Sequence, residues 1–336
     1  MTILVTGAAG FIGMHVAERL LADGERVVGL DNLNDYYDLR LKQARLARLQ
    51  GHPQFQFEKL DLADDAAIAA LFRQHRFERV VHLGAQAGVR YSLTHPHTYI
   101  DSNVRGTLNV LEGCRHHGAQ HLVFASTSSV YGLNTRMPFS EHHGVDHPVS
   151  LYASTKRAGE LMAHNYAELF GLPVTALRFF TVYGPWGRPD MSPMIFATKM
   201  TRGEPIDVFN HGKHRRDFTF VTDIVEGVVR ALGRPPVSNP TWDTLAADPA
   251  TSRAPFRIYN IGNSSTVELM YFIELLEKAL GVKAVKHFLP AQPGDVFETL
   301  ADVTELETAI GYRPKVAIEE GVERFIQWFR GDANPL

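Results

Sequence analysis

The sequence predicts an α/β fold in which a doubly wound parallel sheet carries a smaller C-terminal lobe. Short apolar runs alternate with amphipathic segments through the first half of the chain, which is typical of parallel strands covered by helices on both faces. A glycine-rich turn separates the first apolar run from the first amphipathic segment. After about residue 181 the alternation loosens and Pro and Gly become more frequent, so we expect shorter elements in the second lobe.

This alternation assigns the elements in order. Strands are predicted at Thr2–Thr6, 27–30, Phe55–Lys59, 80–83, 121–126 and Val174–Phe179. Helices are predicted after the first strand, after the polar connection 31–38, and near 64–75, 98–117 and 152–170. Further along, we expect a surface loop at 234–255, a strand at 257–261 and helices at 267–280 and 318–329. The last helix carries Val322, Phe325 and Ile326 on one apolar stripe.

Composition and charge narrow the possible partners. The 336 residues carry a net charge of -3 with a pI near 6.6, so we expect no general attraction to nucleic acid or to an anionic membrane. No apolar run approaches the roughly 20 residues of a membrane span, and the N-terminus lacks a signal-peptide layout. Cys114 is the only cysteine, which excludes an intrachain disulfide and fits a reducing compartment. The sequence therefore favours a cytoplasmic protein.

The turn after the first strand has the composition of a dinucleotide site. It reads Thr6-Gly7-Ala8-Ala9-Gly10-Phe11-Ile12-Gly13, and glycines at this spacing permit a tight turn close to a pyrophosphate. The following helix presents unpaired N–H groups and a positive dipole end to the phosphates. Asp31 ends the second strand, where a carboxylate binds the adenosine ribose and repels a 2′-phosphate. We therefore expect a Rossmann-type site for NAD rather than NADP. Asp61 either lies near the adenine with Leu62 or caps a helix that starts at Ala63.

A tyrosine and a lysine open the helix near 152–170. The spacing of Tyr152 and Lys156 puts both side chains on one helix face, and a nearby ammonium lowers the pKa of a phenol toward neutrality. Pairs of tyrosine and lysine at this spacing also occur by chance in helices, so the surrounding residues must indicate whether this pair is functional. Thr127 ends the fifth strand, at the edge where doubly wound sheets bind ligands, and can hydrogen-bond an oxygen that loses or gains a proton. For the neighbouring Ser129 the alternative is a purely structural role, in which its hydroxyl only stabilises a turn.

Together these motifs resemble the extended short-chain dehydrogenases, the NAD-dependent epimerase/dehydratase family. The resemblance covers nearly the whole chain and includes Leu177-Arg178-Phe179-Phe180-Thr181 and residues 215–223 and 293–296. Within the family, residues 82–92, 180–185 and 188–191 are similar to UDP-glucuronate 4-epimerases. The pair Trp186-Gly187 departs from the more polar pair expected there.

The resemblance implies roles for individual residues. Tyr152 would be the base, Lys156 its activator and a ligand of the nicotinamide ribose, and Thr127 the partner that relays the proton. NAD would be tightly bound and regenerated in each turnover. The implied cofactor contacts are Gly7, Gly10, Phe11, Ile12, Gly13, Asp31, Asn32, Asp61, Leu62, Leu83, Ala85, Ala87, Asn103, Tyr152 and Lys156. The implied substrate contacts are Arg90, Thr127, Ser128, Ser129, Thr181, Arg188, Arg216 and Asp295.

The residues after Thr127 bear on the reaction. A 4,6-dehydratase of this family would need an acid–base pair there, whereas Ser128 and Ser129 cannot supply a carboxylic acid. The expected reaction is C4 epimerisation of UDP-glucuronate to UDP-galacturonate through a 4-keto sugar, with arginines and hydroxyls holding the C6 carboxylate. UDP-glucose 4-epimerase, UDP-glucuronate decarboxylase and a non-enzymatic NAD-sensing regulator remain alternatives. No metal site is expected, because adjacent histidines such as His116 and His117 point apart.

We expect two lobes that divide the binding tasks. Residues 1–180 would form the NAD-binding Rossmann domain, and residues 181–336 would mainly bind the nucleotide sugar. Segments near 215–230 and 257–262 are expected to return to the Rossmann domain. By the same resemblance, the helices near 98–117 and 152–170 would form a homodimer.

Overall fold

The strands form one large parallel sheet and two small sheets. The structure, a computed structural model, describes residues 1–292 and 296–336. Its strands are β1 (Thr2–Thr6), β2 (Arg26–Asp31), β3 (Phe55–Lys59), β4 (Arg79–His82), β5 (His121–Thr127), β6 (Val174–Phe179), β7 (Thr181–Tyr183), β8 (Ile206–Val208), β9 (Arg215–Phe220), β10 (Phe256–Ile261), β11 (Thr266–Glu268) and β12 (Lys286–Phe288). The large sheet has the order β10-β6-β5-β4-β1-β2-β3, and all its neighbouring pairs are parallel. The predicted fold class is confirmed.

The α-helices lie between or after the strands, and those of the first half of the chain cover both faces of the large sheet. The helices are α1 (Phe11–Ala22), α2 (Leu39–Gln50), α3 (Asp65–His75), α4 (Tyr91–Thr94), α5 (Pro96–Tyr99), α6 (Gly106–His117), α7 (Leu151–Phe170), α8 (Ser192–Thr201), α9 (Val221–Leu232), α10 (Leu269–Leu280), α11 (Thr304–Ile310) and α12 (Ile318–Arg330). Ile3 and Val5 belong to one buried apolar cluster and Leu4 to the other, because successive residues of a strand face opposite sides. Burial on both faces explains why these strands are continuous apolar runs. Among the described residues, no helix combines the length and apolar character that crossing a bilayer requires.

The strand order places a crevice at the centre of the large sheet. β1 pairs with β2 on one side and with β4 on the other, so the order of the strands reverses between β1 and β4. Ligands of open parallel sheets bind at such a reversal, outside the carboxyl ends of the strands. The glycine-rich turn leaves β1 at this edge.

The second half of the chain builds two smaller sheets and adds one strand to the large one. β11 pairs antiparallel and β7 parallel with β9, and β12 pairs parallel with β8. β10 extends the large sheet beside β6, and α9 packs on α1 and β5. A division of binding tasks between two lobes at residue 180 stays a prediction.

Two predicted helices are wrong in their boundaries. The helix expected at 267–280 begins at Leu269, because Thr266–Glu268 pairs with β9 as a strand. The helix expected at 98–117 is interrupted by a π-helical stretch at Ile100–Arg105 between α5 and α6. Apolar periodicity does not reveal the extra residue that a π-turn inserts, and such turns are frequent at functional sites.

Candidate active site

A cleft with a volume of about 230 Å³ opens at the carboxyl edge of the large sheet. It contains nearly all the predicted cofactor contacts. Those that line it are Gly7, Gly10, Phe11, Ile12, Gly13, Asp31, Asn32, Asp61, Leu62, Leu83, Ala85, Ala87, Tyr152 and Lys156. Asn103 does not line the cleft: its side chain is buried and bonded to the backbone of Gln86 and to Thr155. It therefore holds the cleft wall from behind.

The glycine-rich turn is shaped by contacts between backbone groups. Gly7 has a φ of 71°, and its N–H donates to the Leu30 carbonyl at 2.7 Å. A Cβ at Gly13 would lie 2.0 Å from the Gly7 carbonyl oxygen, so only glycine fits there. Helix α1 begins without a side-chain cap and without an acidic residue in its first turn. Its first N–H groups are therefore available to an anion, and the turn fits the pyrophosphate of a dinucleotide.

Carboxylates follow β2 and β3 at the same edge. Asp31 is buried, accepts the N–H of Leu33 at 2.9 Å and lies 3.9 Å from the Lys42 ammonium. Asn32 donates its side-chain amide to Asp61 at 2.9 Å. Asp61 also accepts the N–H of Ala63. The alternative of Asp61 as a helix cap is wrong, because Asp64 caps α3 by accepting the N–H of Ala67.

Tyr152 and Lys156 lie in the first turns of α7, facing the cleft. The Lys156 ammonium donates to the Ala125 carbonyl at 2.8 Å, and burial lowers its pKa to about 7. Burial raises the pKa of Tyr152, opposed by a side-chain hydrogen bond with Thr127 and by the charge of Arg188. This differs from the expectation that Lys156 lowers the pKa of Tyr152. The reason is that the lysine is bound to Ala125 and its own burial disfavours the charge.

Thr127 lies where β5 ends and the following turn begins. Its hydroxyl accepts the N–H of Ser129 at 3.2 Å and donates to the Ser129 hydroxyl at 3.3 Å. Ser128 and Ser129 begin a 3₁₀ turn, Ser128–Tyr131, that leaves both half-buried. Ser129 therefore has the turn-stabilising role that is one of its two predicted roles. Thr127, Ser128 and Ser129 follow the cleft-lining Ser126 but do not line the cleft themselves.

A buried ion pair behind β5 was missed by the sequence analysis. Glu160 accepts two hydrogen bonds from Arg178 at 2.9 and 3.0 Å and one from the Ser126 hydroxyl at 2.5 Å. Both charged side chains are fully buried. Because Glu160 follows Lys156 by one helical turn, α7 is attached to the end of β5 at two points. The repeat of four-residue spacing from Tyr152 to Lys156 to Glu160 was the available signal.

Arg188 reaches the cleft from the second half of the chain. Its guanidinium binds Asp190 at 3.0 and 2.5 Å, and the Tyr36 hydroxyl donates to the same carboxylate at 2.9 Å. Burial opposes its charge, but Asp190 outweighs that effect and raises the pKa of Arg188. Arg188 and Tyr36 line the same cleft as Tyr152. The roles of Tyr36 and Asp190 were not predicted, because they are separated by 154 residues.

The other predicted substrate residues lie outside the cleft lining. Thr181 is half-buried on β7, opposite Phe218. Arg90 is exposed, with its guanidinium 4.8 Å from the centre of the Phe209 ring. Arg216 donates to the carbonyls of Arg215 and Phe297 at 3.0 Å. Asp295 lies outside the described residues.

Comparisons with known proteins place this geometry among sugar-nucleotide enzymes. A model of the NAD dependent epimerase/dehydratase family matches residues 3–262. A Rhizobium meliloti protein named "Probable UDP-glucuronate 4-epimerase" is 47% identical over 98% of this chain and 97% of its own length. The UDP-glucuronic acid 4-epimerase of Bacillus cereus, in complex with UDP-glucuronic acid and NAD, has a TM-score of 0.86 and 32% identity, with 98% of this chain and 99% of that chain covered. The UDP-glucose 4-epimerase of Thermotoga maritima with UDP-glucose has a TM-score of 0.85 and 30% identity, with the same coverage.

Proposed function

Since the chain belongs to the NAD-dependent epimerase/dehydratase family, we propose that it inverts C4 of UDP-glucuronate to give UDP-galacturonate, with NAD as a bound cofactor. One observation carries the choice of substrate: Arg188 lines the same cleft as Tyr152 and Lys156. A guanidinium within reach of the reacting carbon is the preferred partner of a sugar carboxylate. The named epimerases among the relatives support the same choice.

The residues of the cleft fit NAD. When bound, NAD would supply the oxidant that removes a hydride from C4 of the sugar and, once reduced, the hydride that is added to the opposite face of the 4-keto group. The glycine turn and the start of α1 would hold its pyrophosphate, and Asp31 its adenosine ribose. Lys156 would hold the nicotinamide ribose. Because the same hydride returns to the sugar, the cofactor stays bound and is regenerated in each turnover.

Tyr152 moves the proton in this proposal. Its phenolate oxygen accepts the proton of the C4 hydroxyl, with Thr127 as the hydrogen-bonded relay, and returns it after the sugar has turned over. Because burial raises the pKa of Tyr152, its ionised form depends on nearby groups that favour the phenolate, which are the Thr127 hydroxyl and the charge of Arg188. Neither Ser128 nor Ser129 can protonate a leaving hydroxyl, so loss of water is not part of the reaction.

Several groups would hold the rest of the substrate. We assign the C6 carboxylate to Arg188 and to the hydroxyls of Thr127, Ser128, Ser129 and Thr181. Arg216 would bind the diphosphate, and Arg90 and Asp295 would complete the sugar-nucleotide site. Since Asp190 already binds Arg188, a substrate carboxylate must share the guanidinium with Asp190 or displace it.

The proposal is tested by product analysis. The purified protein is incubated separately with UDP-glucuronate, UDP-glucose and UDP-xylose, and the products are identified by NMR. UDP-galacturonate as the main product supports the proposal, and UDP-pentose would indicate a decarboxylase. UDP-glucose 4-epimerase is the second candidate, because Asp190 neutralises Arg188 and the Thermotoga maritima enzyme has nearly the same fold similarity. Equal or faster turnover of UDP-glucose would establish it.

We propose a homodimer as the working unit. Four large apolar side chains on the outer faces of the segment 100–117 and α7 are 40% to 63% exposed: Ile100, Leu108, Leu161 and Leu169. Adjacent helices with exposed apolar side chains are typical of subunit interfaces. Light scattering after gel filtration should give twice the 37.5 kDa chain mass, and Leu108→Glu with Leu161→Glu should give the monomer mass.

A further inference from the structure

We propose that Arg45 is a positioning residue that holds the cofactor turn and the substrate loop in one arrangement. The cofactor turn is residues 7–10, and the substrate loop is residues 184–190, which carry Arg188. The inference rests on the proposed function for the substrate-binding role of Arg188, whereas the contacts of Arg45 do not depend on that function. Arg45 lies on α2 and does not line the cleft itself.

One guanidinium reaches both segments. Arg45 donates to the Trp186 carbonyl from Nε at 3.1 Å and from Nη2 at 2.6 Å, and Nη2 also donates to the Gly187 carbonyl at 3.1 Å. Nη1 donates to the Ala9 carbonyl of the cofactor turn at 3.3 Å and to the Tyr37 hydroxyl at 2.6 Å. A planar fork with donors in fixed directions can serve these acceptors together, and a lysine ammonium cannot.

The charge of Arg45 has an unusual environment. Arg45 is fully buried, and within the described parts of the chain no carboxylate lies at ion-pair distance from it. Burial lowers its pKa, while Tyr37 and the more distant Asp31 oppose that shift. A buried charge that is held by carbonyl dipoles and a tyrosine, without a carboxylate in contact, is an expensive way to stabilise a core. The contacts of Arg45 are better explained by the two segments whose positions they fix, the cofactor turn and the substrate loop.

The substrate loop needs such a fixed point. Trp186 has a φ of 65°, in the left-handed region that residues other than glycine rarely adopt, and this conformation turns its carbonyl toward Arg45. The Trp186 ring packs on Trp328 at 5.3 Å and under the Arg48 guanidinium at 5.2 Å. Arg188 follows two residues later, so the carbonyl contacts of Arg45 set the direction from which Arg188 enters the cleft.

The experiment compares Arg45→Met and Arg45→Lys with Arg48→Met. Arg48 is a matched control, since it lies one turn further along α2 and contacts the Trp186 ring but donates to Glu18 instead of the loop. Hydrogen exchange of peptides covering residues 7–10 and 184–190 is measured first. Both Arg45 variants should exchange faster in these two segments alone, and Arg48→Met should match the wild type. A role confined to general stability would raise exchange throughout the chain.

Function provides the second readout. The loss of charge-assisted hydrogen bonds should raise the dissociation constant for NAD and the KM for UDP-glucuronate about ten- to a hundredfold in Arg45→Met, with kcat little changed. Arg45→Lys should be affected in the same direction. Arg188→Ala, by contrast, should raise KM and leave NAD retention unchanged.

Three results would overturn the inference: exchange that rises in neither segment, Arg45 and Arg48 variants that behave alike, or failure of both Arg45 variants to fold, which would make Arg45 a core residue only. If the wild type leaves UDP-glucuronate unchanged, the proposed function fails. The exchange and NAD measurements still decide the role of Arg45 in that case.

Discussion

The two walls of the cleft are built in different ways. The cofactor wall consists of the glycine turn, Asp31 and Lys156, and backbone groups close in sequence or paired in the sheet shape it. The substrate wall is formed where Arg188 and Asp190 meet Tyr36, and side chains far apart in the sequence hold it. Local backbone geometry therefore defines one wall, and long-range side-chain contacts define the other.

We therefore expect cofactor binding and sugar preference to depend on different residues. The cofactor wall requires glycines at particular positions, so almost any substitution there affects binding of the dinucleotide. Side chains of the substrate wall can change without moving the sheet, so the preferred sugar can change while Tyr152 and Lys156 keep their places.

Tyr152 lies where the two walls meet, and its loss has the largest expected effect. Tyr152→Phe removes the phenol that we propose as acceptor of the C4 proton, so turnover should fall on the order of 10²–10⁴-fold. The ring remains, so binding of the nucleotide sugar should persist. Single-turnover kinetics and calorimetry measure the two effects. Tyr166→Phe on the same helix is the control, because its hydroxyl binds Glu112 away from the cleft. Near-normal turnover of Tyr152→Phe would remove Tyr152 from its role.

The cofactor wall is tested by Gly13→Ala. The added Cβ would lie 2.0 Å from the Gly7 carbonyl oxygen, so the turn must shift. Overpacking of this kind costs about 1–3 kcal/mol, and a cost of that size in the NAD-bound form corresponds to a loss of NAD affinity of about 5- to 150-fold. NAD released on denaturation is measured against protein. Gly51→Ala is the control, because a Cβ at Gly51 meets no atom within 4 Å. Equal NAD retention in the two variants would contradict a backbone-defined wall.

The same contrast decides what the sequence could predict. The strands of the large sheet, the glycine turn and Asp31 were predicted because each is a local pattern of residues. Tyr36, Asp190 and Arg45 were not, since their partners lie in distant parts of the chain and no periodicity connects them. The pKa of Tyr152 was also mispredicted, because spacing gives the distance between Tyr152 and Lys156 along a helix but not the burial of either side chain.

The substrate wall is tested by Arg188→Ala. Loss of a charge-assisted hydrogen bond costs about 1.5–3 kcal/mol, so the preference for UDP-glucuronate over UDP-glucose should narrow roughly ten- to a hundredfold. The ratio of kcat/KM for the two sugars measures this, and NMR detects any UDP-pentose released by a loosened carboxylate. Arg105→Ala is the control, because Arg105 forms a similar two-bond pair with Asp65 outside the cleft. An unchanged ratio would make Arg188 a loop residue and favour UDP-glucose as substrate.

Two buried carboxylates, Glu160 and Glu141, are expected to respond to pH in opposite directions. Glu160, behind the cofactor wall, would have its pKa raised by burial, but Arg178 and Ser126 outweigh burial and hold the pKa below its ordinary value. Glu141, between the 3₁₀ turn and α7, contacts the neutral Asn260 of β10, which also accepts the Tyr131 hydroxyl at the end of the 3₁₀ turn. Burial raises the pKa of Glu141 to about 7.

The direction in which each carboxylate changes stability with pH depends on whether the folded or the unfolded state binds its proton more tightly. The folded protein holds the Glu141 proton more tightly than the unfolded chain, so its stability contribution is full below pH 4.5 and is lost as pH rises through 7. Each pKa unit corresponds to about 1.4 kcal/mol. Glu141→Gln, which stays neutral, should therefore melt a few degrees above the wild type at pH 8 and close to it at pH 5. Glu160→Gln should be destabilised most at neutral pH and less as the solution becomes acidic, because the wild type then loses the charge that Arg178 binds. Melting temperatures of both variants are measured at several pH values. If the two variants changed in the same direction relative to the wild type as pH rises, the opposite pKa shifts of Glu141 and Glu160 would be contradicted.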